Sequence, residues 1–180
     1  MSETFVNNFP LEKFHVERCK HCIAVSSRGY ITMHGICLRT AEDELHTYSL
    51  DLQVPMQVNS GKYDVEQYIP EYNKDFVFQM AGPRSLELVE NVLQEDIHDM
   101  KFMEFRNYSV LGRPVRVLRM GMGGTLAYEF HGAIEDALPV YEEIIRVGKN
   151  YDLKRLGMIS YMLNHTENGF PQLGKHFMSD

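Results

Sequence analysis

Apolar and polar positions alternate in short runs over the first third of this chain and shift to helical spacing in three stretches after residue 80. Cys22 to Ser27 and Tyr30 to Leu38 read as two strands around an Arg28-Gly29 turn, with Leu45 to Leu50 a third after the acidic Glu42-Asp43-Glu44 turn. Asp51 to Asn59 has no clear period, and Pro55 argues against a long helix there. Tyr63 to Tyr68 alternates like a half-buried strand, whereas Phe76 to Met80 is almost continuously apolar, which predicts a central strand. Gly82-Pro83 opens a helix with proline in its first turn, and Leu86, Leu88, Val89, Val92 and Leu93 form its buried stripe.

Strands are predicted over Phe102 to Val110 and Pro114 to Met120, joined by Leu111-Gly112-Arg113, with Leu126 to His131 returning beside them. A second helix covers Asp136 to Val147. Asp136 is its expected cap, Gly148 its end, and Leu138, Tyr141, Ile144 and Ile145 its inward stripe. Leu156 to Glu167 reads as a short helix that Asn168-Gly169-Phe170-Pro171 breaks. Residues 1 to 19 show no period and read as an N-terminal arm, and residues 172 to 180 as a tail. Hairpins punctuated by helices predict an α+β class, a mainly antiparallel sheet with helices packed on it.

Composition narrows the function classes. A chain of 180 residues with 44% hydrophobic and 24% charged residues has an ordinary globular balance and room for one core or slightly more. The net charge of −7, with acids and bases interspersed, argues against a nucleic-acid surface, which needs clustered positive charge. No apolar run approaches the roughly 18 residues of a membrane span, and no basic-then-apolar leader stands at the start, so the expected location is cytoplasmic. Cys19-Lys20-His21-Cys22 is a lone Cys-x-x-Cys without the second pair of a structural zinc site. It also leads into a strand rather than sitting at a strand-to-helix junction, so neither metal nor redox chemistry is expected of it.

The most informative stretch is Leu118 to Phe130, a strand, a glycine-rich turn over Gly121, Gly123 and Gly124, and a second strand carrying one acid. Glu129 lies between Tyr128 and Phe130, so the pleat sends it to the opposite face from both rings. Two readings stand at this point. Glu129 faces water on a plain hairpin, or its carboxylate grips paired N–H donors of a heterocycle.

Three segments in order carry a family resemblance: Phe78-Gln79-Met80-Ala81-Gly82-Pro83-Arg84-Ser85, the strand Gly112-Arg113-Pro114-Val115-Arg116-Val117, and Gly124 to Glu129. Together they resemble the folate-binding T-protein family, the aminomethyltransferases and their relatives, over roughly Lys20 to Pro171. Residues 20–171 are therefore expected to form a folate-binding T-protein-like domain. The resemblance implies mixed sheets with ferredoxin-like β-α-β elements around a folate site, and tetrahydrofolate as cofactor.

The run after Gly157, with Tyr161, Asn164 and then Glu167-Asn168-Gly169-Phe170, is similar to the tetrahydrofolate-dependent aryl O-demethylases rather than to the glycine-cleavage enzymes. The latter carry an aspartate in the strand that here contains Met33-His34. By resemblance, Glu129 anchors the pterin, Gly124, Tyr128, Phe170 and Arg119 line the folate site, and Tyr161 donates to the leaving phenolate oxygen of a methoxy-aromatic substrate. Arg119 also reads as a surface strand charge or a partner of Glu129. His34 reads as a site-lining or a structural histidine, and Gln79 as a residue that satisfies backbone groups. Family members carry a further front portion and a closing β-barrel by the same resemblance. The expectation is thus a one-carbon transferase domain incomplete as an enzyme, either a homodimer or one chain of a split enzyme. The alternative is a non-catalytic homodimeric assembly module.

Overall fold

The computed structural model describes residues 5–6, 11–49, 53–61, 64–65, 69 and 73–177. The chain divides into two compact units, Met1–Pro70 with Pro171–Asp180, and Glu71–Phe170. Each carries an antiparallel four-stranded sheet.

In the first unit the strand order follows the chain: β1 (Phe5–Val6), β2 (Arg18–Val25), β3 (Ile31–Arg39) and β4 (Leu45–Tyr48). The expected arm therefore ends in the sheet, with Arg18 and Cys19 already paired to Arg39 and Leu38. Gly29, at φ +83°, makes the β2–β3 turn, where the left-handed region favours glycine. A seven-residue helix, α1 (Gln53–Asn59), tolerates Pro55 because the proline sits in its first turn, where the missing N–H has no partner to lose. The predicted Tyr63 to Tyr68 strand lies mostly outside the described residues. Cys19, Cys22 and Cys37 are buried in the sheet as thiols rather than as a disulfide, and burial together with the neighbouring sulfurs pushes the Cys37 pKa far up. Such thiols behave as small hydrophobes rather than as nucleophiles.

The second unit runs β5 (Asp75–Ala81), α2 (Ser85–Leu93), β6 (Phe105–Val110), β7 (Arg113–Leu118), β8 (Ala127–Ala133), α3 (Ala137–Gly148) and α4 (Met158–Glu167). Its sheet order is β5-β8-β7-β6. The β5 segment, expected in the centre, is an edge strand, and β8 occupies the interior instead. Apolar continuity misled here. Phe76 and Met80 turn inward, while Val77 between them is 48% exposed. One sheet face carries Phe76, Met80, Val115, Val117, Tyr128 and Phe130, which pack with Leu88, Val89, Val92, Val140 and Ile144 of α2 and α3. Burying such side chains contributes about 1.5–3 kcal/mol each.

Local details depart from expectation for identifiable reasons. Pro83 precedes α2 by a turn rather than standing inside it. Strand β6 starts at Phe105, and Phe102 is 61% exposed. The β6–β7 hairpin turns on Leu111 and Gly112 alone, both with positive φ as a two-residue hairpin of this twist requires, and Arg113 already begins β7. Asp136 precedes α3 without capping it, because its carboxylate pairs with Arg113. The inward stripe of α3 is Val140, Ile144 and Val147, with Leu138 outside. Gly148 does not end the helical run. A further turn continues over Lys149–Tyr151, and Leu153 packs where a Gly148 side chain would stand.

In the first unit His21 Nε2 and His34 Nδ1 lie 3.1 Å apart, and His34 Nε2 accepts from the Leu173 N–H at 3.4 Å. Burial lowers both histidine pKa values below the usual 6.5, and the neighbouring His34 adds to the effect at His21. A lowered folded value means that the unfolded chain binds the proton first. The stability contribution is then complete above pH 6.5 and is lost as pH falls through the folded values. Thermal unfolding should show a lower midpoint in mild acid than at neutral pH, with a smaller drop in His34→Gln. Identical drops in the two proteins would disprove the assignment.

Candidate functional site

Strand alternation places Gln79, Glu129 and His131 on the sheet face opposite the apolar core, because Gln79 stands directly across from Glu129 and His131 lies two residues farther along β8. Glu129 is 9% exposed and His131 3%. The Gln79 amide donates to Glu129 Oε1 at 2.9 Å, and His131 Nε2 lies 3.0 Å from Glu129 Oε2. The solvent-facing reading of Glu129 is therefore overturned. Gln79 supports this carboxylate through a side-chain hydrogen bond.

Helix α4 contributes the aromatic half. Tyr161 and His165, four residues apart and hence on one helix face, have ring centroids 4.2 Å apart, and Phe170 meets His165 edge-on at 5.7 Å. His165 is 2% exposed. Burial first, and then the charge of Glu129, holds the Tyr161 phenol above its usual pKa, so the tyrosine lies within electrostatic reach of the carboxylate. The glycine turn fastens this helix to the sheet. Asn168 Nδ2 donates to the Gly123 carbonyl at 2.8 Å and to Asn164 O at 2.7 Å. Gly124, at φ +70°, passes so close to Asn168 that an added Cβ would lie 1.7 Å from its Oδ1. Only glycine satisfies both the backbone conformation and the contact.

The fold thus brings together Glu129, Tyr161, Phe170 and the turn containing Gly124. It does not bring Tyr128 or Arg119 into this group. Tyr128 points into the apolar core, its phenol held above the usual pKa by burial. Arg119 Nη1 donates to the Met100 carbonyl at 2.5 Å. His34 belongs to the first unit and pairs there with His21. His131 and His165 escaped the sequence reading, although their i+2 strand spacing from Glu129 and i+4 helix spacing from Tyr161 were available to find them. Among the described residues, Glu90, Asp96 and His98 also place ligand-type atoms within 4.8 Å of one another. These atoms are engaged locally, since Glu90 accepts from the Ile97 N–H and Asp96 bonds His98.

Such an arrangement offers a buried carboxylate with acceptor capacity, a phenol kept protonated, and ring surfaces beside it. A flat ligand bearing N–H donors suits this chemistry.

The family model described as "GCVT N-terminal domain" matches residues 2–180. Sesamin methylene transferase of Sinomonas sp. (strain No.22) is 37% identical over 172 residues, covering 96% of this chain and 37% of that protein. Syringate O-demethylase of Sphingobium sp. (strain NBRC 103272 / SYK-6) is 24% identical over 176 residues, covering 92% of this chain and 38% of that protein. The crystal structure of glycine cleavage system aminomethyltransferase T from Bartonella henselae superposes with a TM-score of 0.76 at 16% identity, over 93% of this chain and 45% of that one. The α+β architecture is thus the aminomethyltransferase T-protein fold, and the chain spans less than half the length of these proteins.

Electrostatic coupling across the site is measurable. Tyr161 keeps its proton above pH 10.0 in the folded chain while the unfolded chain has released it. Its contribution to stability is complete below that pH and is lost as pH rises through the folded value. Ultraviolet titration of the phenolate should assign Tyr161 a pKa above the ordinary one in the wild type and a lower one in Glu129→Gln. A titration that does not respond to Glu129→Gln would show that the carboxylate does not reach the phenol.

Proposed function

Because this chain belongs to the GCVT N-terminal domain family, we propose that it is a tetrahydrofolate-binding one-carbon transferase domain acting on aryl ethers of the methoxy-aromatic class. The observation that carries this reading is the buried Glu129 carboxylate, fixed between Gln79 and His131, whose charge adds to burial in keeping Tyr161 protonated. Buried carboxylates are costly unless they are paired and hydrogen-bonded. One held by a donor on each oxygen keeps acceptor lone pairs for a ligand with paired N–H groups, as a pterin has. Phe170 and the Tyr161–His165 pair offer ring surfaces for a flat heterocycle. The names of two relatives, a sesamin methylene transferase and a syringate O-demethylase, support one-carbon chemistry at an oxygen-substituted arene.

Tetrahydrofolate would supply the N5 nitrogen that takes the one-carbon unit and gives up its N–H proton. The protein's part is placement and proton supply. Tyr161 donates its phenolic proton to the ether oxygen as the carbon–oxygen bond breaks and recovers the proton released at N5, so the arene leaves as a neutral phenol and Tyr161 ends unchanged. Burial and the Glu129 charge keep the Tyr161 phenol protonated, so it stands as a donor before the bond breaks. Gly124, whose close approach to Asn168 fastens α4, fixes the distance between donor and anchor.

A second reading rests on a different observation. Leu156, Met158, Ile159 and Leu163 around α4 are 56%, 69%, 80% and 56% exposed. A row of large apolar groups at helical spacing marks an association surface, and a two-fold pair is the commonest way to cover one. On this reading the chain is a homodimeric assembly module.

Calorimetric titration with tetrahydrofolate tests the first reading. Glu129→Gln should weaken binding by about 1.5–3 kcal/mol, the range for hydrogen bonds to a charged group. It should also lower stability, since the carboxylate is buried. Absence of binding by the wild type would dismiss the folate assignment. For the second reading, light scattering of a dilute sample should give twice the chain mass, and Ile159→Glu should give the monomer. A wild-type monomer at micromolar concentration would dismiss the dimer.

A further inference from the structure

We infer that His131 is the positioning residue for Glu129. Its Nε2–H orients the carboxylate and thereby sets the donor pattern that Glu129 can accept from a ligand. This inference rests on the folate reading for the identity of the ligand, but not for the geometry within the protein.

The two oxygens of Glu129 are held from different directions. Oε1 is reached by Gln79 from the neighbouring strand β5, and Oε2 by His131 from farther along β8 itself. An ionised carboxylate only accepts hydrogen bonds, so the 3.0 Å contact requires a proton on His131 Nε2. Neutral His131 is thus the Nε2–H tautomer. With one donor on each oxygen the carboxylate plane cannot turn about its terminal bond, and each oxygen keeps a lone pair for a further donor. Two parallel acceptors in a fixed plane match a planar ligand edge with adjacent ring and amino N–H groups. A freely turning carboxylate would lose that match.

Arg116 stands opposite His131 on β7, Val77 opposite it on β5, and the nearest acid on its own strand face is Glu129. Gln79 alone would hold one oxygen and leave the other free to swing. His131 is therefore the residue that converts a buried acid into an oriented one.

The test uses the full chain and 5-formyltetrahydrofolate as probe, titrated into the wild type, His131→Leu and His131→Gln. Glutamine can place an amide N–H near the position of the imidazole Nε2–H, whereas leucine supplies none. His131→Leu should bind on the order of tenfold more weakly, the equivalent of one hydrogen bond to a charged group, and His131→Gln should recover most of that loss. Thermal unfolding of each variant confirms that the chain is folded. A purely structural histidine would give equal affinities in all three, or losses that track stability with no recovery in His131→Gln, and either result overturns the inference. Nitrogen-15 NMR of the imidazole gives a reading that needs no ligand. The wild type should show the Nε2–H tautomer, and Glu129→Leu should release that preference. A tautomer unchanged by Glu129→Leu also overturns the inference. If the wild type does not bind the probe, the folate reading fails, and the tautomer measurement alone decides the role of His131.

Discussion

A carboxylate at 9% exposure persists in a folded chain only when donors replace the water it has lost, and the second unit supplies them from two places. Removing one of these donors leaves a buried acceptor unsatisfied, at a cost of about 1–3 kcal/mol. The register of β5 against β8 follows this requirement as well as the apolar pattern. Slipping β5 by one residue would carry Gln79 to the core face and Phe78 to the polar one. A single pairing thus satisfies the core and the acid together.

The aromatic side of the site depends on the glycine turn in a similar way. Helix α4 is short and presents exposed apolar groups at Met158, Ile159 and Leu163, so its own amphipathic pattern does not dictate how it sits. Asn168, bonded both to the turn and to the last turn of the helix, provides the attachment. Gly124 permits it by leaving out a side chain. Tyr161 consequently feels the charge of Glu129, although the two are 32 residues apart in sequence.

The family match covers nearly the whole chain, while the relatives' names range over methylene transfer, O-demethylation and aminomethyl transfer. A shared fold can serve several reactions, because a fold positions groups and the particular side chains choose the chemistry. In the first unit the same logic produces a different result. Its half-buried polar pair, His21 and His34, answers to a backbone N–H at Leu173 rather than to a carboxylate.

The sequence by itself determined the α+β class, the hairpins, the helix positions at α2 and α3 within a few residues, the glycine turn and the family. Each of these is written in neighbouring residues, as alternation, as helical spacing, or as glycine where the backbone turns. It did not determine that β5 lies at the edge and β8 inside, because a run of apolar residues looks the same whether one or both of its flanks are paired. Nor did it reveal that Asp136 pairs with Arg113 instead of capping α3, or that His131 and Gln79 enclose Glu129. Those outcomes are decided by which distant side chain arrives next to a polar group. That proximity exists only once the strands have paired, so only the tertiary structure could decide it.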